Sequence, residues 1–429
     1  MSAPIIVALE ARATEWEIAP EKGVEGWGYN GQIPGPTIKA RVGDTLVIRL
    51  KNSLPEPTTI HWHGLRIQSD MDGTDSVQRA VAPGETYEYR FELPDAGTFW
   101  YHSHMNETEQ MERGLYGAMV VRGSDDPVVD DDRVLVLDDL MLDGDGQIAA
   151  FGGLLQRHNG RIGNTRLVNG CVEPELLMSA GHVERWRVVN AASARYVRLS
   201  VGGKPFRLLA TDGGFLDTPV TMNELLLVPG ERADILVGPF AEGETFSVDS
   251  ISTPRNPERF ASVRVGRSAQ SSARIPARLN AIESLVHGNA QANRTVHFQS
   301  KLTVRRGIDW LVNDEMHHHA PPVTLGELQV WDIVNETRID HPFHLHGFFF
   351  QVIEVAGVAP PFRAWRDTVN VQASQTVRIA WMPDDRPGEW MYHCHILEHH
   401  AAGMMAHFQV LRAGEHERVM DNPHHAAHR

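Results

Sequence analysis

Only two cysteines occur in the 429 residues, and one of them stands in an unusual setting: His393-Cys394-His395-Ile396-Leu397-Glu398-His399-His400-Ala401-Ala402-Gly403-Met404. A thiolate, two imidazoles and a weak axial thioether are the donor set of a blue-copper electron-transfer centre. This stretch supplies Cys394, His399 and Met404 and leaves one imidazole to come from elsewhere. On a strand, alternate side chains face opposite ways. Cys394 is therefore expected on one side and His393 and His395 on the other, free to bind different metals. The plainer reading, a buried strand with incidental histidines, would leave the other histidine pairs without a purpose.

Those pairs are spaced regularly. His61-Trp62-His63-Gly64 follows Asn52 by nine residues, and His344-Leu345-His346-Gly347, preceded by His341, follows Asn335 by nine. Later come Trp100-Tyr101-His102-Ser103-His104 and Met391-Tyr392-His393-Cys394-His395. In between, Leu199, Val201 and Ser247 occupy the comparable places. A His-x-His on a strand puts both imidazoles on one face. Four pairs give eight imidazoles, more than one ion needs, so a cluster is implied, most simply of three metals.

The elements that must position these residues repeat three times. Asn30-Gly31 leads to a strand ending at Asn52, Asn169-Gly170 to one ending at Asn190, and Asn313-Asp314 to one ending at Asn335. Alternation such as Leu46, Ile48 and Leu50, with frequent Gly and Pro, predicts short strands in β-sandwiches. We expect an all-β chain with a first domain at 1–124, a second at 125–266, a linker at 267–290 carrying a short helix near 278–286, a third domain at 291–412 and a polar tail at 413–429 with His424, His425 and His428. The metal cluster is expected where the first and third domains meet, with the middle one a spacer. Asp130-Asp131-Asp132 reads as a solvated connection and His317-His318-His319 as a solvated loop.

Composition narrows the rest. With 40 Lys and Arg against 55 Asp and Glu, the net charge is −15, which argues against nucleic acid as a partner. No apolar run is long enough to span a bilayer, and no signal peptide is visible. Both an exported and a cytoplasmic location are compatible with this. With Cys394 a ligand, Cys171 has no partner, and no disulfide is expected.

In these motifs, over nearly its whole length, the chain resembles the three-domain multicopper oxidases, close to bacterial laccases. The resemblance implies three cupredoxin-like Greek-key β-sandwich or barrel domains and four copper ions. It implies a type 1 copper held by His341, Cys394, His399 and axial Met404. It further implies a type 2 copper on His61 and His344, and a type 3 pair on His63, His102, His104, His346, His393 and His395. The implied activity is one-electron oxidation of phenols and aromatic amines, small aromatic reductants, coupled to four-electron reduction of O2 to water. Electrons would pass from an exposed edge of His399 or His341 through Cys394 to the cluster. Asp72 matches an acid that relatives carry near the type 2 copper, although before Gly73 it also reads as a turn residue. His400 stands where many relatives have a proton-relaying Glu, and Glu398 lies on the other side of His399, so either is a candidate relay. Asp367, in a common family turn, is given no chemistry. Met105 and Met111 read as packing residues, because the 14 methionines are dispersed and form no soft-metal insert. The chain's compactness predicts short loops and an open type 1 site; a monomer is also expected. A cuprous or other metal-ion oxidase is the alternative within the family. A non-catalytic scaffold would have lost ligands, and a copper nitrite reductase would need no four His-x-His pairs.

Overall fold

The structure is a computed structural model and describes residues 3–251, 257–288, 290–304 and 307–417. The candidate tail histidines His424, His425 and His428 lie outside the described residues. Strands dominate, and the α-helices among the described residues are short turns at Glu107–Gln110, Leu154–Asn159 and Leu397–Ala401.

The internal repeat is visible in the hydrogen bonds. Ile5–Ala19 pairs in parallel with Thr45–Asn52, Asp131–Leu140 with Glu184–Asn190, and Arg294–Thr303 with Gln329–Asn335. The second strand of each couple pairs antiparallel with a later one: Thr86–Glu92, Arg232–Val237 and Thr376–Trp381. The closing asparagine does the same work three times. The amide nitrogen of Asn52 donates to the carbonyls of Glu56 and Val81, that of Asn190 to Arg195 and Leu227, and that of Asn335 to Ile339 and Val371. All three are buried, so each amide satisfies carbonyls that would otherwise be stranded away from water. The leading residues Asn30, Asn169 and Asn313 all adopt positive φ, which asparagine tolerates better than most side chains.

Each third of the chain folds into two sheets around its own apolar core, centred on Trp62 and Phe91, on Trp186 and Ile235, and on Trp331 and Trp381. Smaller clusters join them, one packing Trp100 and Met111 against Val189 and Leu397. Neither cysteine is in a disulfide; Cys171 is exposed and Cys394 buried. Among the described residues no helix is long and apolar enough to cross a membrane.

Three expectations need correction. Residues 278–286 form no helix. The amides of Leu279 and Ile282 bond to Asp217, and that of Leu285 to Gln351, instead of to carbonyls four residues back. The Asp130–Asp132 run is not merely solvated. Asp130 accepts from Ser271 and Ser272, and Asp132 pairs with Arg187 and Arg122 at the start of a strand. The His317–His319 loop is partly ordered into the sheet, with His318–His319 pairing to Ala406 and His407.

Candidate metal centre

Two strands and the turns after them hold the third-domain histidines. Strand His341–Leu345 lies antiparallel to Gly388–Cys394, with Phe343 opposite Cys394 and His344 opposite His393. On the first third, His61 and His102 exchange backbone hydrogen bonds at 2.8 and 3.1 Å. These two ladders face each other. His63 stacks on His344 at 3.8 Å and His61 on His346 at 4.0 Å between ring centroids. The rings of the two thirds thus interleave, and all eight are buried.

The hydrogen bonds fix which nitrogen each ring offers. A carbonyl or carboxylate only accepts, so a ring nitrogen beside one carries the proton and leaves the other nitrogen as a lone pair. Nδ1 of His61 donates to the carbonyl of Asp72, His102 to Ser103, His344 to Asp367 and His393 to Cys394, at 2.8 to 3.0 Å. His346 donates to the Asp72 carboxylate at 2.8 Å and His104 to Glu107 at 2.8 Å. His63 is reversed: its Nε2 faces Asp367 at 3.3 Å. Among the described residues, Nε2 of His61, His102, His104 and His344, Nδ1 of His63 and both nitrogens of His395 have no hydrogen-bond partner. Nε2 of His346 and of His393 lie 3.0 Å apart. Buried lone pairs converging on one another with nothing between them are costly unless a cation joins them. The donors of His61, His344 and His346, of His61, His63 and His102, and of His104, His393 and His400 each lie within 4.8 Å of one another. This arrangement fits metal ions.

Charge points the same way. Burial, reinforced by neighbouring rings, holds His63, His102, His346, His393 and His395 well below the ordinary imidazole range. They are neutral, as ligands must be. His104 is the exception: burial pushes it down, but Glu107 outweighs that and leaves it raised.

A second convergence lies across the sheet. His341 Nδ1 sits 3.4 Å and His399 Nδ1 3.7 Å from Cys394 Sγ, and the two nitrogens are 3.2 Å apart. Their outer nitrogens donate to Thr337 Oγ1 at 2.8 Å and to the His158 carbonyl at 3.1 Å. Burial drives His399 down to about 3 and pushes the Cys394 thiol up, so without a cation the sulfur stays protonated. Met404 is buried in the same core, and its carbonyl accepts from the Cys394 amide.

The expectation of an exposed ring edge is wrong. His341 and His399 are fully buried. Helix Leu154–Asn159 of the middle third lies over His399, and Trp310 packs tilted against the same ring at 4.1 Å. The open approach to His341 and His399 expected from short loops is therefore closed.

The three candidate proton handlers separate. The Asp72 carboxylate reaches His346, so it stands at the cluster. His400 lies flat on His393, 4.2 Å away at 18°, and donates to Glu107 at 2.7 Å. Glu398 turns away and accepts the amide of Arg161 at 3.0 Å, within a buried network that includes Glu112. As a relay to the cluster, Glu398 is on the wrong side of the helix.

Sequence reasoning missed several contributors. Glu107 bridges His104 and His400, and burial notwithstanding, those two rings hold it well below the usual carboxylate range. Its place three residues after His104, at the start of a helical turn, was the available signal. Asp367, given no chemistry, touches His63 and, through its carbonyl, His344. Burial would raise it, but the Arg232 guanidinium, bonded at 2.7 and 2.6 Å, keeps it well below the carboxylate range. Arg232 and Gly230, whose added Cβ would lie 2.8 Å from His395, belong to the middle third. That third is thus no mere spacer.

Comparison with known proteins agrees with this geometry. Family models described as multicopper oxidase match residues 10–126, 98–258 and 277–414. The chain is 31% identical to the multicopper oxidase MmcO of Mycobacterium tuberculosis, over 88% of this chain and 81% of that one. It is 29% identical to a laccase of Bacillus subtilis, over 88% and 89%. It superposes on a multicopper oxidase from Campylobacter jejuni, described as a metallo-oxidase, with a TM-score of 0.83 at 30% identity, over 95% and 92% of the two chains.

Proposed function

Because the chain belongs to the multicopper oxidase family, with its cupredoxin-like domains and copper chemistry, we propose that it is a laccase taking electrons from phenols and aromatic amines and delivering them to O2. The observation that carries this reading is the pair of convergent donor sets joined through one tripeptide, His393-Cys394-His395. Copper bound at Cys394 would accept single electrons, and copper bound among the eight imidazoles would reduce dioxygen. Four phenols would give four phenoxyl radicals, four protons and the four electrons that turn one O2 into two waters.

We assign one copper to His341, Cys394, His399 and Met404, one to His61 and His344, and two to His63, His102, His104, His346, His393 and His395. Domains at 1–124, 125–266 and 291–412, with 267–290 between them, would hold these sites. The chain's other residues orient and protect them. Asp72 fixes the His346 ring and the His61 ring with its side chain and its carbonyl, and presents an acid where protons are consumed. Glu107 and His400 together take the place of the single glutamate that the resemblance leads one to expect. Their hydrogen bond touches the cluster through His104 and through the stack on His393. Asp367, clamped by Arg232, orients His63 and His344.

The metal-ion oxidase reading is favoured by a different observation, the covered His399, since a small ion needs less access than an aromatic ring. Oxygen uptake with a methoxyphenol against Cu(I) separates the two. The family-level reading is tested by copper analysis with an absorption spectrum: four coppers per chain and an intense thiolate-to-copper band, lost in Cys394→Ser. A copper-loaded but colourless protein would sink it.

A further inference from the structure

Four consecutive residues after the Cys394 strand, from Ile396 to His399, are each held by the middle third. The Leu397 amide donates to the Ser193 carbonyl at 3.2 Å, the Glu398 carboxylate accepts the Arg161 amide at 3.0 Å, and His399 donates to the His158 carbonyl at 3.1 Å. The fourth hold is steric. A Cβ built at Gly160 would lie 2.3 Å from the Ala194 Cβ and 2.7 Å from Ile396 Cγ2. Gly160 also has φ 77° and ψ 168°, a backbone conformation essentially closed to residues with a side chain. The turn from His158 to Arg161 therefore needs glycine for its own path and for its close approach to Ile396.

Ile396 is the pivot of the loop it touches. Its amide donates to Cys394 Sγ at 3.4 Å, and its carbonyl accepts from the amides of His399 and His400, both at 3.0 Å. Hydrogen bonding around a copper-bound sulfur tunes the reduction potential. The reduced centre has one positive charge fewer than the oxidised one, so it gains more from an N–H aimed at the sulfur, and the potential rises. We propose that Gly160 is a positioning residue: with the holds on Leu397, Glu398 and His399, it presses the Ile396 amide onto the sulfur and keeps the potential of the Cys394 centre high. The middle third, which supplies no donor to that centre, then sets how strongly it draws electrons. The inference rests on the assignment of copper to Cys394 and goes beyond it by naming what tunes the site.

The test uses the copper-loaded full chain and Gly160→Ala. The added methyl group must displace Ile396 or Ala194, and either shift disturbs the hold, since Ala194 adjoins the Ser193 carbonyl that fixes Leu397. Potential is read by spectroelectrochemical titration against a mediator, with the absorption spectrum and copper content measured on the same sample. At unchanged copper content, the equilibrium constant for taking an electron from the mediator should fall about tenfold, the low end for a hydrogen bond to a charged group, or about 59 mV for one electron. The thiolate-to-copper band should move to longer wavelength, because a sulfur relieved of a donor gives up electrons more readily. If Gly160→Ala does not fold, Glu398→Leu frees the same loop from Arg161 without filling space, and Glu398→Gln keeps an acceptor oxygen for the Arg161 amide. The first should fall in potential and the second should keep the parent's. Variants that melt earlier yet keep the parent's potential and band overturn the proposal, since the hold would then be structural only. So does Glu398→Gln falling as far as Glu398→Leu, since the carboxylate rather than the hold would matter. A parent that loads copper without a blue band removes the copper assignment and the proposal together, an outcome distinct from a blue parent whose variants do not shift.

Discussion

Asp367→Asn tests whether the middle third holds the cluster together. Asp367, Arg232 and Asp212 are buried to within 1%. Arg232 gives two charge-assisted hydrogen bonds to Asp367, and Asp367 also accepts from Thr368 at 2.9 Å. Removing one partner of a buried pair costs about 3–5 kcal/mol, because the other charge stays behind. Asparagine keeps one acceptor oxygen, and Asp212 remains 3.5 Å from Arg232. Burial and the neighbouring Asp367 now push Asp212 up to about 6, so losing that neighbour further favours the ionised form of Asp212, which takes over part of the pairing. The low end, about 3 kcal/mol, is therefore expected. For a unit of this size that is roughly 6–12 °C, seen by calorimetry of the copper-free chain. The second consequence is at the metal. His63 and His344 lose a fixed orientation, and such outer partners are worth about 10–100-fold in metal affinity. Competition with a chelator should then strip copper from the variant first. A transition within about 2 °C of the parent, with copper held equally well, would show that the Arg232–Asp367 clamp orients nothing.

Three other substitutions probe separate parts of the site. Asp72→Asn should slow oxygen reduction about 100-fold or more while leaving the blue band intact; unchanged turnover removes Asp72 from the mechanism. Gly230→Ala adds a Cβ 2.8 to 3.1 Å from the His395 ring at a φ of +89°, a conformation L residues resist, so copper analysis should show a depleted cluster with Cys394 still coloured. Burial, opposed by Arg161, pushes Glu112 up to about 7. The folded chain therefore holds an extra proton between the ordinary carboxylate range and pH 7, and its stability falls as pH rises through that window. Glu112→Gln leaves buried Arg161 without its anionic partner but removes this pH dependence, so the stability difference between variant and parent, read from melting temperatures, should move in the variant's favour by about 2–3 kcal/mol from pH 5 to 8; a constant difference across that range refutes the assignment.

The repeat and the ligand pairs were legible because they obey short rules. A strand has a period of two, so His-x-His declares its own geometry, and the Asn-to-Asn spacing declared three copies. The absent helix at 278–286 was not legible. Local propensity says little about a segment whose amides are bound by Asp217 and Gln351, 60 or more residues away. The three aspartates at 130–132 misled in the same way, since their partners Arg187, Ser271 and Ser272 belong to other strands and to the connection.

The residues missed at the site share one property: each acts through another residue. Asp367, Glu107 and the His158 carbonyl hold a ring by its outer nitrogen, and Arg232 in turn holds Asp367; holding a ring is a role that any acceptor at the right place in space can fill. Spacing in sequence carries no mark of it. The same argument explains why the middle third looked empty. It contributes no imidazole to the cluster, yet it supplies Arg232 behind His63, Gly230 beside His395 and the cover over His399. Bearing no ring of its own there, it sets how rigidly the rings of the other two thirds are held. Differences in substrate among chains sharing these twelve donors are then expected in segments such as Leu154–Asn159, where no ligand constrains the sequence.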